Sequence, residues 1–221
     1  MFFFPMDLIQ IQHYTATQAG AAFLPFVAIM FGLSRWAGGL VERYGSRIPL
    51  TVGPLITASG IALFAVMPQS GSYWATFFPA VAVMGLGMTI SVAPLTTTVM
   101  NAVPDSESGV ASGINNAVSR LAALLAVAIF GAVLIPFFNH SLDRSLAHMA
   151  LPTNVRAQID AARPQLAAAR NFNPIVQLAI TESFIAGYRS VIWIATGLAA
   201  LSAITAWLLI EPGTRTSATR A

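Results

Sequence analysis

Polar side chains that interrupt long apolar runs are the candidates for chemistry in this sequence. Asp7 is a carboxylate within the apolar run from Phe2 to Ile11. A carboxylate in such a place can bind a proton while it faces the protein interior and release it when water reaches it. Asp7 is therefore a candidate proton-coupling residue, and the alternative is an interfacial acid about two helical turns from an outer loop.

Five further polar residues share this position within or beside apolar runs and are candidates to bind a proton or to line a polar pathway between helices: Gln10, Thr96, Asn115, Asn116 and Arg120. Arg120 precedes an apolar run from Leu121 to Phe138 that is almost long enough to span a bilayer. Snorkelling of Arg120 to headgroups and a buried gating role both fit that position. Thr96 follows Pro94, which predicts a kink, so this segment is a candidate hinge and cavity lining.

Motifs of other function classes are missing from the sequence. The three histidines, His13, His140 and His148, lack metal-ligand spacing, and no nucleophile elbow, phosphate loop or dinucleotide fingerprint occurs. The 11 basic residues are all arginine and are dispersed, whereas a nucleic-acid surface needs a clustered basic face. We expect no enzyme, no metal site, no organic cofactor and no nucleic-acid partner.

Composition predicts a protein of the lipid bilayer. Only 9% of residues are charged, 56% are hydrophobic and the mean hydropathy is +0.72, which excludes an ordinary soluble domain. A bilayer core of about 30 Å takes about 20 helical residues to cross. Apolar runs of that length predict an all-α polytopic bundle with five complete spans, approximately Ala19 to Val41, Ile48 to Met67, Tyr73 to Met100, Gly109 to Phe138 and Ile180 to Ile210.

The run Phe2 to Ile11 has about half the spanning length and is interpreted as a truncated sixth helix. Residues 1–211 then form one bundle and residues 212–221 a tail. Residues 139–178 form an outer loop, within which the alanine-rich stretch Asn154 to Arg170 suggests a helix lying on the bilayer surface.

A glycine-rich charged turn from Gly38 to Arg47 separates the first two complete spans. Gly38 and Gly39 are expected to let two helix ends approach closely, Gly45 to adopt the positive φ of a tight reversal, and Arg43 and Arg47 to hold the turn among headgroups. By the positive-inside rule this turn faces the cytoplasm. Alternation of the spans then places the tail in the cytoplasm and residues 139–178 outside.

Small residues recur at four-residue spacing at the start of the fourth complete span, at Gly109, Gly113 and Ala117. They form one stripe on a helix, which lets a neighbouring helix pack closely in lipid. We therefore predict a helix-packing face here.

The charged turn resembles the cytoplasmic loop motif of the major facilitator superfamily, matched at Gly38, Leu40, Glu42, Arg43, Gly45 and Arg47. Glu42 departs from the aspartate that the family more often has. The run Ala93 to Thr98 and the small-residue stripe resemble the late helices of the fourteen-helix drug and proton antiporter branch. Over nearly the whole chain, the order of these pieces resembles that family's carboxyl-terminal half.

The resemblance implies a secondary active transporter that exports small amphipathic molecules in exchange for protons across a bacterial-type inner membrane. Such transporters rock two six-helix bundles around a central site. The chain is therefore expected to be truncated, or to need a missing amino-terminal bundle or a second half-bundle as partner. The alternative is a non-transporting membrane subunit that binds a partner bundle.

Overall fold

The computed structural model describes residues 3–67, 72–149, 151–169 and 173–211. These residues form ten α-helices and two 3₁₀ segments, and no strand occurs among them. The 3₁₀ segments are Asp105–Glu107 and Arg163–Ala168. The α-helices are α1 Phe3–Gln10, α2 Ala16–Ala21, α3 Leu24–Gly38, α4 Leu40–Tyr44, α5 Arg47–Val66, α6 Tyr73–Thr76, α7 Phe78–Asn101, α8 Ser108–Ala147, α9 Thr153–Ala162 and α10 Pro174–Leu209.

Five helical segments of the described chain are long and apolar enough to cross a membrane: Ala16–Gly38, Arg47–Val66, Phe78–Asn101, Asp105–Ala147 and Pro174–Leu209. They confirm the five predicted spans and the all-α polytopic class. Helix α1 has 8 residues. The predicted tail, 212–221, lies outside the described residues.

Helices α8 and α10 run further than the predicted spans. They contain 40 and 36 residues, which at about 1.5 Å per residue gives lengths of roughly 60 and 54 Å. Leu134, Phe138, Leu142 and Leu146 recur every four residues and are all buried, so one apolar stripe continues the helix beyond the predicted end. Much of the segment predicted as a loop is therefore helical.

The chain divides into two compact units. Unit 1 comprises residues Met1–Ala21 and Ala123–Ile192, and unit 2 comprises Ala22–Ala122 and Trp193–Ala221. Each unit contains a part of α8 and a part of α10.

Unit 2 is built on close approach of α5 and α7 at glycines. A methyl group added to Gly60 would lie 2.5 Å from the backbone nitrogen of Met84. A methyl group on Gly87 would overlap the backbone and hydroxyl of Thr57, and one on Gly53 would overlap Ser91. Gly53, Thr57 and Gly60 are spaced by four and three residues and so lie on one face of α5. Small residues on one face let a second helix pack closely in lipid.

The predicted packing stripe on α8 is open in this structure. Nothing described lies within 4 Å of a methyl group built on Gly109 or Gly113, and Ala117 is exposed. Neighbouring apolar side chains are exposed as well, including Val110, Ile114 and Val118. The stripe therefore packs against no described residue, and its role as a helix-packing face stays a prediction.

Unit 1 has a core of large side chains. Leu134, Phe138, Leu142 and Leu146 from α8 and Ile180, Phe184 and Tyr188 from α10 are each at most 2% exposed and belong to one cluster. Gly187 permits the approach, since a methyl group there would lie 3.1 Å from the carbonyl oxygen of Leu134. Phe184 and Tyr188 stack with their ring centroids 6.3 Å apart.

The stretch predicted to lie on the bilayer surface forms α9 and the 3₁₀ segment Arg163–Ala168, and its place relative to the bilayer stays a prediction. Ile159 of α9 is 1% exposed in the unit 1 core, and Val155, Ala162 and Leu166 pack against the same core. The apolar face of α9 is therefore covered by protein. The physical reason is that the extended α8 offers an apolar surface of its own, which α9 buries.

Arg163 joins this cover to α8 through polar contacts. Its guanidinium donates hydrogen bonds to Asp160, Asp143 and the side-chain oxygen of Asn139. Partial burial lowers the pKa of Arg163, but the hydrogen bonds and charges of Asp143 and Asp160 outweigh burial and raise the pKa above its usual value. The arginine therefore stays charged at every physiological pH.

Candidate functional site

The charged turn is formed by two helix ends and a single short helix. Helix α3 ends at Gly38, α4 covers Leu40–Tyr44 and α5 begins at Arg47. Gly45 has φ 72° and ψ 174°, which confirms the predicted positive φ. The expectation that Gly38 and Gly39 let two helix ends approach closely is wrong. A methyl group on Gly38 would meet open space, and the only atom near one on Gly39 would be the carbonyl oxygen of Trp36, at 3.5 Å.

Two charged residues of the turn have different surroundings. The guanidinium carbon of Arg47 lies 3.9 Å from the ring centroid of Trp207, a cation–π contact with α10. Arg43 is exposed. Glu42 is exposed too and, in the described part of the chain, forms no ion pair with either arginine.

A crevice of about 460 Å³ lies in unit 2 where α7 ends and α8 begins. Its walls are mostly valine, alanine and isoleucine side chains, and its polar contributors are Glu107 and Asn115. Glu107, Ala111, Asn115 and Val118 follow at spacings of four, four and three, so they share one helical face. The crevice thus combines an apolar wall with one carboxylate and one amide, a composition suited to an amphipathic molecule.

Asn115, which was predicted to line a pathway, lies in this crevice. Glu107 lines it too, although the sequence did not single it out as a site residue. The spacing of Glu107 from Asn115 was the available signal. Asn116 and Arg120 are exposed and lie outside the crevice lining.

Thr96 is exposed, and its hydroxyl donates to the carbonyl oxygen of Val92 at 3.1 Å. Thr97 and Thr98 bond in the same way to Ala93 and Pro94. These hydroxyls are therefore used within α7, beside the buried Pro94. Their role as hinge or pathway lining stays a prediction.

Asp7 is buried in unit 1, with none of its surface exposed. Neither of its carboxylate oxygens has a hydrogen-bond partner among the described residues, and the same holds for the hydroxyl of Tyr188. Met6, the neighbour of Asp7 in α1, packs against the core that contains Tyr188. Gln10 lies one turn beyond Asp7 and is half-buried. Asp7 and Gln10 belong to unit 1, whereas Thr96, Asn115, Asn116 and Arg120 belong to unit 2.

Long apolar helices joined by a short arginine-bearing turn define a multi-pass membrane protein. The family model of the Major Facilitator Superfamily matches residues 1–142. The chain therefore belongs to the Major Facilitator Superfamily, a family of membrane transporters. This confirms the resemblance seen in the turn. Members of the family are transporters and not enzymes.

Curated relatives match much of the chain. It is 28% identical over 212 residues to the multidrug resistance protein Stp of Mycobacterium tuberculosis, with 90% of this chain and 39% of Stp covered. It is 26% identical over 205 residues to the puromycin resistance protein pur8 of Streptomyces alboniger, covering 91% of this chain and 35% of that protein. The lincomycin resistance protein of Streptomyces lincolnensis is 25% identical over 132 residues, or 60% of this chain and 27% of that protein. The chain thus spans about two fifths or less of the length of these relatives.

Proposed function

We propose that this chain forms the carboxyl-terminal bundle of a drug exporter that works by alternating access together with a second bundle. Membership in the Major Facilitator Superfamily carries the proposal, and the names of relatives that cover nine tenths of the chain support the drug-like class of substrate. One six-helix bundle supplies only one wall of the pathway, so the second bundle supplies the other. The bilayer is the remaining partner, and no cofactor is needed beyond the proton gradient.

The side chains that line the crevice between α7 and α8 support the proposed class of substrate, a small amphipathic molecule. An apolar wall binds the greasy part of an amphipathic molecule, while Glu107 attracts a positive charge and Asn115 offers a hydrogen bond. Small molecules that are cationic or neutral fit this lining better than anions do. The direction of transport we propose is export.

We propose Asp7 as the proton-coupling residue. It is a fully buried carboxylate that no described residue hydrogen-bonds, in a unit where large apolar side chains exclude water. Such a group binds and releases a proton as its access to water changes.

Transport by proteoliposomes tests the proposal. The chain alone is expected to be inactive, and co-expression with an amino-terminal bundle of a related exporter is expected to give efflux of a cationic dye driven by a pH gradient. Inactivity in both arms, with stable binding between the two bundles, would support a non-transporting subunit instead. Asp7→Asn is expected to abolish pH-driven exchange in the assembled transporter, and unchanged exchange would remove Asp7 from the mechanism.

Glu107→Gln tests the crevice. It is expected to raise the KM for a cationic dye by about fivefold or less, since an exposed ion pair is worth up to about 1 kcal/mol. A neutral substrate should be transported as before. Asp105→Asn removes an acid from the same 3₁₀ segment that does not line the crevice, so it is the matched control; an equal effect of both changes would contradict a specific role for Glu107.

Placement in a bacterial inner membrane with the arginine turn and the tail in the cytoplasm is also our proposal, supported by the arginines of that short turn. Because the sequence has no cysteine, a single introduced cysteine is labelled uniquely. Tyr44→Cys should resist a membrane-impermeant maleimide applied outside, and Gln158→Cys should react. The reverse pattern would overturn the orientation.

A further inference from the structure

A second crevice in unit 2 lies between α10 and the α5–α7 pair and has a volume of about 320 Å³. Leu50 and Pro54 line it from α5, Leu95 from α7, and Ala206 and Leu209 from α10. Its volume is at the small end of the range for ligand pockets, about 300–1,000 Å³. The glutamate crevice described above shares none of these residues.

Two of the three hydroxyl groups that line this second crevice, those of Ser91 and Thr205, are already partnered. The hydroxyl of Ser91 donates to the carbonyl oxygen of Gly87 at 2.8 Å, and that of Thr205 donates to the carbonyl oxygen of Ser202 at 2.9 Å. Both bonds stay within a single helix, so these groups offer little to a polar ligand. The other lining residues, apart from Ser202, are leucine, isoleucine, proline and alanine, so the part of a ligand that occupies the crevice is mainly apolar.

A cationic group stands one helical turn beyond the crevice. Arg47, Leu50 and Pro54 are spaced by three and four residues and so share one face of α5. Trp207, over which the Arg47 guanidinium stacks, lies beside Ala206 on α10. The Nε of Arg47 is buried and has no hydrogen-bond partner, and Arg47 has no ion pair, among the described residues.

These features together match the two ends of an anionic phospholipid. Arg47 pairs with no carboxylate among the described residues, so a phosphate oxygen can form a charge-assisted hydrogen bond with its guanidinium. The crevice opens among exposed apolar side chains, with Leu209 80% and Leu95 41% exposed, where the lipid hydrocarbon would be. A cationic drug is disfavoured here because Arg47 repels it.

We propose that unit 2 binds one anionic phospholipid, with its headgroup phosphate on Arg47 and an acyl chain in the crevice between α5, α7 and α10. The lipid thereby joins the charged turn to the last helix. Binding does not depend on transport, so it is measured on the purified chain.

Native mass spectrometry of the full chain in detergent, titrated with dioleoyl phosphatidylglycerol, tests this site. One lipid should be retained, and dioleoyl phosphatidylcholine should be retained much less. Arg47→Gln should weaken retention about tenfold, the equivalent of one charge-assisted hydrogen bond. Arg43→Gln removes the same charge from an exposed position of the same turn and should leave retention unchanged.

Ala206→Phe separates the crevice from the charge. It fills the space for the acyl chain while Arg47 is kept, and it should also weaken retention of phosphatidylglycerol. Circular dichroism and gel filtration check that each variant is folded, and if Arg47→Gln fails to fold, Ala206→Phe and Arg43→Gln decide the matter. Equal retention of both lipids by the unaltered chain, equal losses in Arg43→Gln and Arg47→Gln, or full retention by Ala206→Phe would overturn the site.

Discussion

The two units hold their helices together in different ways. In unit 2, α5 and α7 meet backbone to backbone at Gly53, Gly60 and Gly87. In unit 1, α8 and α10 meet mainly through leucine and aromatic side chains, and arginine–aspartate pairs tie α9 to them. Close backbone approach is typical of association in lipid, where van der Waals contact is the main attraction. Burial of large apolar side chains stabilises contacts that form in water, where the hydrophobic effect drives association.

The largest loss of stability is expected when a large side chain is removed from the unit 1 core. Leu142 is 1% exposed and Leu178 is 58% exposed in the same unit. Leu142→Ala should lower the free energy of unfolding by about 2–5 kcal/mol through lost burial and a cavity. Leu178→Ala, the matched control, should change it by about 0.5 kcal/mol or less. Thermal unfolding in detergent measures both, and similar losses would show that this core does not stabilise the unit.

The next effect concerns the glycine contact of unit 2. Gly87→Ala should lower the free energy of unfolding by about 1–3 kcal/mol, because the new methyl group overlaps Thr57 and forces the helices apart. Gly113→Ala adds the same group in open space and should be neutral or stabilising by up to about 1 kcal/mol, the helix propensity gained. Denaturation in mild detergent compares them. A stable Gly87→Ala protein would contradict the close approach of α5 and α7.

A smaller effect is expected at the ion pairs of unit 1. Arg163→Gln removes donors to Asp143 and Asp160 and should cost up to about 1 kcal/mol, less at high salt. Arg144→Gln is the control, since Arg144 is exposed and contacts His140 rather than a carboxylate. The two melting temperatures should converge as salt is raised. Salt-independent differences would indicate that Arg163 acts by packing.

The smallest effect on the chain itself is expected at the open stripe of α8. Gly113→Leu, like Gly113→Ala, should leave the free energy of unfolding of the purified chain unchanged or raise it by up to about 1 kcal/mol. If the stripe packs against a second bundle, the same change should weaken co-purification of the two bundles. Gly197→Leu, which adds the same side chain at an open glycine of α10 in the same unit, is the control. Unchanged co-purification of Gly113→Leu would remove the stripe from that interface.

Much of the fold was predictable because long apolar runs and their polar breaks are local properties. The five spans and the positive φ of Gly45 were correctly predicted. The extent of α8 was not, because residues 139–147 are polar enough to suggest a loop and become helical where Leu142 and Leu146 find a partner surface. The site was predictable only in part: Asn115 lies in the crevice beside α7, whereas Glu107 was missed.

The sequence by itself determined that the chain crosses a bilayer several times and where its charged turn falls, since the cost of placing charges and unpaired backbone in lipid depends on residue type alone. Tertiary structure decided which of two similar glycine patterns packs against another helix, the one in α5, and which stays exposed, the one in α8. The spacing places small residues on one face of a helix, but it does not determine whether a second helix lies against that face. It also decided that Arg47 meets Trp207, two residues far apart in the chain, and that Asp7 is enclosed. Those pairings depend on how the helices pack, which no local pattern specifies.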